Sequence, residues 1–482
     1  MKPQLDFSVL PVTCDTAKIT HGSIFVACDG SRFRGIDFIK EAISKGATKI
    51  IAGVDHATAL ASLERRYPHI PFSYTPNPRQ TLADEAAKAY KWPAKKLRFI
   101  GVTGTKGKST TTHLLEHIFK TAGFKTALVG GISNRIAEKA LPAALTTPGS
   151  DYLQAFFAAC VEEKVDVVIM EVSSHALSLD RVHGIEFEAV GFSNLGQDHL
   201  DFYKTLENYL AAKLLIFDRL TPNGKAVINL DHAHGKEVSA AAHSRLSADQ
   251  IITISQTDPA TATLKVKENS LNGLSLEVSH QLNDILSLQA PALMGEFNAH
   301  NIAMAACIAQ SFTISSANIK QALTTFKGTP GRMQVHTLQN GAKAFVDFAH
   351  NPSSMESVLK TLRPLTDNLV VLFGCGGDKD KTKRPIMAAI AAAYANHIII
   401  TEDNPRTENR LSILREIEAG IPLVFLAKTS TIQDRRQAIA AAVNKATSSA
   451  SIVAILGKGH EPYQIIGTTA HHFDDFEEIQ KF

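Results

Sequence analysis

The chain has few of the features that mark secreted, membrane-spanning or nucleic-acid-binding proteins. Its five cysteines (Cys14, Cys28, Cys160, Cys307 and Cys375) are scattered and odd in number. None forms a CxxC pair, which argues against both a disulfide framework and a zinc site. No apolar run approaches the ~20 residues needed to span a bilayer. The opening stretch MKPQLDFSVLP has no apolar core of a signal peptide. A cytoplasmic location without membrane insertion is therefore expected. Fifty basic residues stand against 47 acidic ones, a net charge of +3. That balance is too even to suggest a nucleic-acid or membrane surface, and no block of like charge is long enough to form a tail. Internal repeats, coiled-coil heptads and low-complexity tracts are also missing.

What is present is the composition of a soluble globular protein. The 482 residues are 44% hydrophobic and 20% charged, enough for a substantial core and for two to four domains at ~100–200 residues each. Short β-branched runs alternate with helical patterns, as α/β architecture requires. A first unit with SIFVAC, FIKEAISKG and TKIIAG ends near KWPAKK at 91–96. A second holds candidate strands LRFIGV, VDVVIME, AVGFSN and KAVINLD. A third follows Thr329-Pro330-Gly331, with AFVDF, LVVLFG, HIIIT and IVAILG. The reading is three α/β domains, at residues 1–97, 98–329 and 330–482.

The most informative local pattern is GVTGTKGKST at 101–110, between a predicted strand and the predicted helix STTTHLLEHIFKTAG. Glycines let backbone N–H groups approach phosphate oxygens, and a helix N-terminus adds a positive dipole end. Gly104, Thr105, Lys106, Gly107, Lys108, Ser109 and Thr110 are the expected ATP-binding residues. Lys108 would reach the β/γ-phosphates and Ser109 would offer its hydroxyl to Mg²⁺. The spacing departs from strict Walker A, because Val102 stands at the first glycine position. It does not spell GxGxxG, which argues against a dinucleotide site.

Two further strands end in groups suited to chemistry. Glu171 closes VDVVIME, and His199 follows AVGFSN in NLGQDHLD. Side chains at the carboxyl ends of parallel strands point into the crevice where α/β proteins bind ligands. Lys213 sits in the apolar stretch YLAAKLLIF. Singly, each has a bland explanation: a helix cap, a hydrogen-bonded polar residue, a snorkelling lysine.

Together with the loop they form a longer pattern. GVTGTKGKST, TTPGS, EVSSHALSLDRV, FSNLGQDHLDFY and YLAAKLLIF are followed by GEFNAHNIAMAA, PGRMQ, VDFAHNP, FGCGGDKDKTKRP, TEDNPR and GKGHEPYQ. In order and rough spacing this set resembles the Mur ligase family along the whole chain. The resemblance implies a three-domain α/β fold, with a P-loop-type central ATPase domain and a Rossmann-like C-terminal domain. It implies an ATP-dependent amide ligase that forms an acyl phosphate on a substrate carboxylate, which an amine then attacks. By the same resemblance Lys108, Glu171, His199 and Lys213 are the catalytic set. Ser109, Glu171, His199 and a carbamylated Lys213 would support two Mg²⁺ ions. A lysine offers donors only, so it serves a cation only once carbamylated. Burial would favour the neutral amine that reacts with CO₂.

The resemblance assigns Asn298, Asn301, Arg332 and Asp347 to the nucleotide as well, with His350 beside them and Pro330-Gly331 as a hinge. It assigns Thr16, Thr146, Thr147, Ser173 and Arg181 to a UDP-linked muramoyl dipeptide. In CDTAKITHGSIFVACDG, Thr16 and Ala17 replace the family's usual Ser-Arg pair. For the incoming amino acid, Asp403-Asn404-Pro405-Arg406 has the form found in members that add meso-diaminopimelate to UDP-N-acetylmuramoyl-L-alanyl-D-glutamate. An arginine can grip the second carboxylate of diaminopimelate through a fork that lysine as substrate could not reciprocate. Gly457 and Glu461 resemble the partners of the distal amine. Lys379 replaces the family's usual arginine, keeping the charge and losing the fork. A monomer is expected. The alternatives are a ligase adding L-lysine, a folylpolyglutamate-synthase-like ligase and, from another class, a P-loop NTPase switch.

Overall fold

The structure is a computed structural model that describes residues 6–30, 33–280 and 285–482. The first five residues of the MKPQLDFSVLP stretch lie outside this set. The described residues form two compact units. Unit one comprises residues 1–265, 278–286 and 300–322, and unit two residues 266–277, 287–299 and 323–482.

Unit one opens with a small parallel sheet in the order Val12–Thr13, Ile24–Val26, Lys49–Gly53, Phe72–Thr75. Phe25, Ile39, Ile50 and Leu60 pack on one face of this sheet, and Val26, Ile51 and Leu82 on the other. Its larger sheet runs Ile251–Ser255, Leu220–Asn229, Phe187–Phe192, Arg98–Thr103, Val167–Glu171, Thr126–Val129, Asn134–Ile136, Lys139–Leu141. The inner strands are parallel. Their continuous apolar runs follow from burial on both faces. Phe99, Phe157 and Phe187 interlock edge to face within this core.

The register of the inner strands decides where the chemistry sits. Val102 lies opposite Glu171, and Thr103 opposite Phe192. The segments after Thr103, Glu171 and Phe192 therefore leave the sheet at one carboxyl edge, the usual ligand edge of α/β sheets.

Unit two is built on a six-stranded sheet in the order Gln334–Thr337, Lys343–Asp347, Ile452–Leu456, Leu369–Phe373, His397–Ile400, Thr429–Thr431. All pairs are parallel except the first. Helices cover both faces, with Phe345, Val371 and Ile398 in one core layer and Val346, Val370 and Ile399 in the other. A hairpin, Tyr463–Ile466 with Thr469–His472, follows the strand Ile452–Leu456. Among the described residues no helix is long and apolar enough to cross a membrane.

Candidate functional site

The glycine-rich segment folds as a turn between the strand Arg98–Thr103 and the helix Lys108–Thr121. Gly104 has φ +143° and Gly107 φ +85°. A Cβ at Gly104 would lie 1.9 Å from Ser193 Oγ, and one at Gly107 2.5 Å from Asn301 Oδ1. Only glycine meets both constraints. The turn is held by the neighbouring loop: Thr105 N donates to Asn194 O at 2.9 Å, and Lys106 N to Asn194 Oδ1 at 2.9 Å. Ser193 Oγ donates to Lys106 O at 2.6 Å and Gly196 N to Thr105 Oγ1 at 3.0 Å. Ser193 and Asn194 lie inside a motif visible in the sequence, but their part as the loop's cradle was not legible there. Ser109 and Thr110 are buried in the first turn of the helix. Asn301 lies against the loop itself and accepts from Thr111 Oγ1 at 3.3 Å.

Two lysines converge on one carbonyl. Lys108 Nζ donates to Gly104 O at 2.8 Å and to Thr105 O at 3.0 Å; Lys213 Nζ donates to Gly104 O at 2.9 Å. Lys213, on the helix Leu206–Leu214, is 1% exposed, and its ammonium lies 4.5 Å from the Tyr209 ring centroid. Burial, and then the charge of Lys108, hold the Lys213 ammonium well below the ordinary lysine range. A buried amine biased toward its neutral form fits the carbamate chemistry.

Glu171 is 2% exposed and its Oε1 accepts from Gly131 N at 3.0 Å. Its Oε2 accepts no hydrogen bond among the described residues. The free oxygen and the Ser109 hydroxyl belong to the same sheet edge and are hard ligands of the kind Mg²⁺ takes. No cluster of three or more His, Cys, Asp or Glu suited to a metal occurs among the described residues. His199 has φ +53° at the start of the helix Leu200–Tyr203, and its ring packs against His175 with centroids 4.8 Å apart.

Thr147 ties together the residues matched to the muramoyl dipeptide. Its hydroxyl donates to Glu171 O at 2.8 Å and accepts from Ser173 N at 3.0 Å, and its carbonyl accepts from Arg181 Nη1 at 2.8 Å. Thr146 lies beside Gly131. Ser173 also caps the helix Ser174–Ser178. Thr16 is elsewhere in the unit, near the small sheet, with its hydroxyl donating to Glu41 Oε1 at 2.9 Å.

In unit two, Asp347 accepts from Met333 N at 2.7 Å, and the Arg332 guanidinium lies 4.7 Å from the Phe348 ring centroid. His350 Nδ1 is 2.8 Å from Phe348 O. Asn298 is 2% exposed and donates to Met294 O at 2.8 Å.

The segments 403–406 and 457–464 interlock. Asn404 Nδ2 donates to Glu461 Oε2 at 2.8 Å, while Asn404 Oδ1 accepts from Ile465 N at 2.8 Å. Gln464 Nε2 donates to Asp403 O at 2.8 Å. Gly457 lies against the Asp403 carboxylate. Burial, followed by the charge of Asp403, raises the Glu461 carboxyl above its ordinary range. Arg406 adopts φ +51°, and its Nη1 donates to Gly377 O at 3.1 Å and Asn404 O at 3.3 Å. Nε and Nη2 of Arg406 have no protein acceptor among the described residues. Lys379 is exposed, its stem beside Gly376.

Sequence reasoning missed the supports of this pocket. Fully buried Arg435 forms a two-pronged pair with Asp475 at 2.7 Å on both arms. The same guanidinium donates to Glu402 O at 3.0 Å and Leu456 O at 3.2 Å, so it fastens the two strand ends that lead into the pocket. Buried Arg384 grips Glu408 at 2.9 and 2.8 Å, and Glu408 accepts from Asp378 N at 3.0 Å. Lys458, with no exposed side chain, lies 3.7 Å from Glu461. Nothing local in the sequence marks Arg435 or Asp475.

Known proteins resemble this chain over nearly its whole length. Residues 102–309 match the Mur ligase middle domain, and residues 331–459 the Mur ligase, glutamate ligase domain. A UDP-N-acetylmuramoyl-L-alanyl-D-glutamate–2,6-diaminopimelate ligase of Lactiplantibacillus plantarum is 37% identical over 99% of this chain and 94% of that protein. The chain belongs to the Mur ligase family. A ligase of the same name from Thermosynechococcus vestitus is 38% identical over 99% of this chain and 94% of its own length. A solved structure of that name superposes with a TM-score of 0.69 at 31% identity, covering 98% of this chain and 94% of that one. The folylpolyglutamate synthase of Thermotoga maritima shares the fold alone, at 17% identity and TM-score 0.62, over 83% of this chain and 94% of that one. The Mur ligase expectation thus stands, and so does the ATP-dependent ligase class.

Proposed function

We propose that this Mur ligase joins meso-diaminopimelate to the D-glutamate of UDP-N-acetylmuramoyl-L-alanyl-D-glutamate, with ATP as the energy source, and that it works as three domains at 1–97, 98–329 and 330–482. The observation that carries the amino-acid assignment is Arg406, whose Nε and Nη2 are free of protein acceptors beside Asn404 and Glu461. A guanidinium fork of this kind takes a carboxylate through two parallel hydrogen bonds. L-Lysine as substrate has no second carboxylate to offer, so it would leave the fork unmatched and be disfavoured.

Each half of the chemistry falls to identifiable residues. The glycine turn at 104–107, the helix N-terminus that follows it and the Lys108 ammonium hold the phosphates and neutralise their charge. Glu171 and Ser109 are the oxygen ligands for Mg²⁺, with His199 and carbamylated Lys213 supporting a second ion. When bound, Mg²⁺ supplies charge neutralisation between the phosphate and the attacking carboxylate. Thr147, Ser173 and Arg181 orient the muramoyl dipeptide. Glu461 and Asp403 receive the distal amine of diaminopimelate. Intact-mass measurement of active enzyme tests the carbamate; an unmodified Lys213 would remove it from the scheme.

The deciding assay is phosphate release with ATP, Mg²⁺ and the UDP-linked dipeptide, comparing meso-diaminopimelate with L-lysine. Strong preference for diaminopimelate is expected. Arg406→Ala should lose about tenfold to a hundredfold in kcat/KM for diaminopimelate, as for a charged hydrogen bond removed. Equal turnover of L-lysine by the wild type would overturn the assignment.

A further inference from the structure

The strand Ile452–Leu456 runs into a turn that sets two opposite charges side by side. Gly459, at φ +54°, carries the bend, and Glu461 N donates to Lys458 O at 3.1 Å across it. Lys458 and Glu461 therefore stand at the two ends of one turn. The Lys458 side chain has no exposed surface, while that of Glu461 keeps 20% of its own. Burying a lone ammonium is costly, so a fully buried lysine behind a partly open carboxylate calls for a reason.

The contacts of Lys458 supply one. Its Nζ donates to the carbonyl of Tyr463, the first residue of the hairpin Tyr463–Ile466, and lies 3.7 Å from Glu461 Oε2. The same Oε2 accepts from Asn404 Nδ2 at 2.8 Å. Ammonium and amide thus hold the carboxylate by one oxygen. The other, Oε1, accepts no hydrogen bond among the described residues. Asn404 in turn accepts from Ile465 N at 2.8 Å, so turn, hairpin and the 403–406 segment are fastened around that one carboxylate.

Charge acts in the same sense. Burial, and then Asp403, raise the Glu461 carboxyl above its ordinary range, and the charge of Lys458 opposes them. Burial lowers the Lys458 ammonium, while Asp403 and Glu461 oppose that change. Without the ammonium, Glu461 would be protonated more readily beside Asp403. A protonated carboxyl lacks the charge that draws an amine.

We propose that Lys458 is a positioning residue for the distal amine of the incoming amino acid: it pins Glu461 through Oε2 and so presents Oε1 to that amine. This rests on the functional reading above and adds to it the residue that sets selectivity for an amine at the far end of the substrate. Lysine suits the task because its compact ammonium fits behind the carboxylate as a point charge.

The test compares meso-diaminopimelate with L-2-aminopimelate, which keeps the attacking amine and both carboxylates and lacks only the distal amine. In the full-length wild type, the ratio of kcat/KM for the two acids measures what the distal amine contributes. Lys458→Gln should shrink that ratio about tenfold or more, as for a charged hydrogen bond lost. The loss should fall on diaminopimelate and spare aminopimelate. Lys458→Met, which fills the space of the lysine stem without its charge, should do the same. Both acids are assayed on one preparation, so partial unfolding lowers the two rates equally and leaves the ratio alone. A ratio unchanged in both variants overturns the proposal, because Lys458 then only stabilises the turn. Wild type that prefers L-lysine to diaminopimelate overturns instead the functional reading on which the proposal rests.

Discussion

The proposed phosphate loop of unit one and the proposed amino-acid pocket of unit two are built on opposite plans. The loop is a contiguous run, Gly104 to Ser109, shaped by two positive-φ glycines and fastened by Ser193 and Asn194 of a single neighbouring segment. The pocket is assembled from residues 376–379, 403–406 and 457–464, and its shape depends on buried ion pairs reaching to Arg384, Glu408, Arg435 and Asp475. A loop that must place N–H groups around phosphate is largely backbone, so its requirements are written in adjacent residues. A pocket that must discriminate one side chain from another needs charged groups fixed in several directions, and those come from distant parts of the chain.

This contrast can be broken by substitution. The largest effect is expected at Arg435. Arg435→Met leaves Asp475 buried and uncompensated, which should cost about 3–5 kcal/mol of stability. Thermal unfolding should show it, and the double variant Arg435→Met with Asp475→Leu should regain much of the loss. A small change in the single variant would mean that the pair does not hold the pocket.

A substitution in the loop should act on ligand binding far more than on folding. Gly107→Ala places a Cβ against Asn301 at a left-handed φ, with a local strain of about 1–3 kcal/mol. Calorimetry with a non-hydrolysable ATP analogue should show affinity reduced about tenfold or more, with only a modest change in Tm. Equal losses of affinity and of global stability would erase the distinction between the two plans.

The smallest effect concerns pH. Arg384 beside Glu408 holds that carboxyl well below the usual carboxylate range. A depressed folded-state value contributes stability above the unfolded glutamate pKa of about 4.3, and loses it as pH falls toward the folded value. The Tm advantage of wild type over Glu408→Gln should be full near neutral pH and shrink in strong acid. A pH-independent difference would mean that the pair contributes packing alone.

Contiguous motifs make much of the site legible in the amino-acid sequence. Gly104, Gly107, Lys108 and Ser109 can be read there because a strand, a glycine turn and a helix follow one another directly. The structure brings Thr147, Ser173 and Arg181 together around one hydroxyl and one carbonyl, and interlocks Asp403–Arg406 with Gly457–Glu461. Lys213 stands out in the sequence as a charge in an apolar stretch. Only the fold shows that it shares the Gly104 carbonyl with Lys108. Ser193 and Asn194 belong to a sequence motif that gives them no role, because the register of neighbouring strands carries them to the loop.

The sequence alone determined the α/β class, the family and the glycine-rich loop, and pointed to the segment proposed to meet the incoming amino acid, since each rests on residues close together in the chain. Tertiary structure alone decided that Arg435 clamps the ends of two strands and that Arg384 fixes Glu408. Those contacts join residues tens of positions apart, and no local propensity or spacing encodes a distance that only the packing of the whole sheet sets.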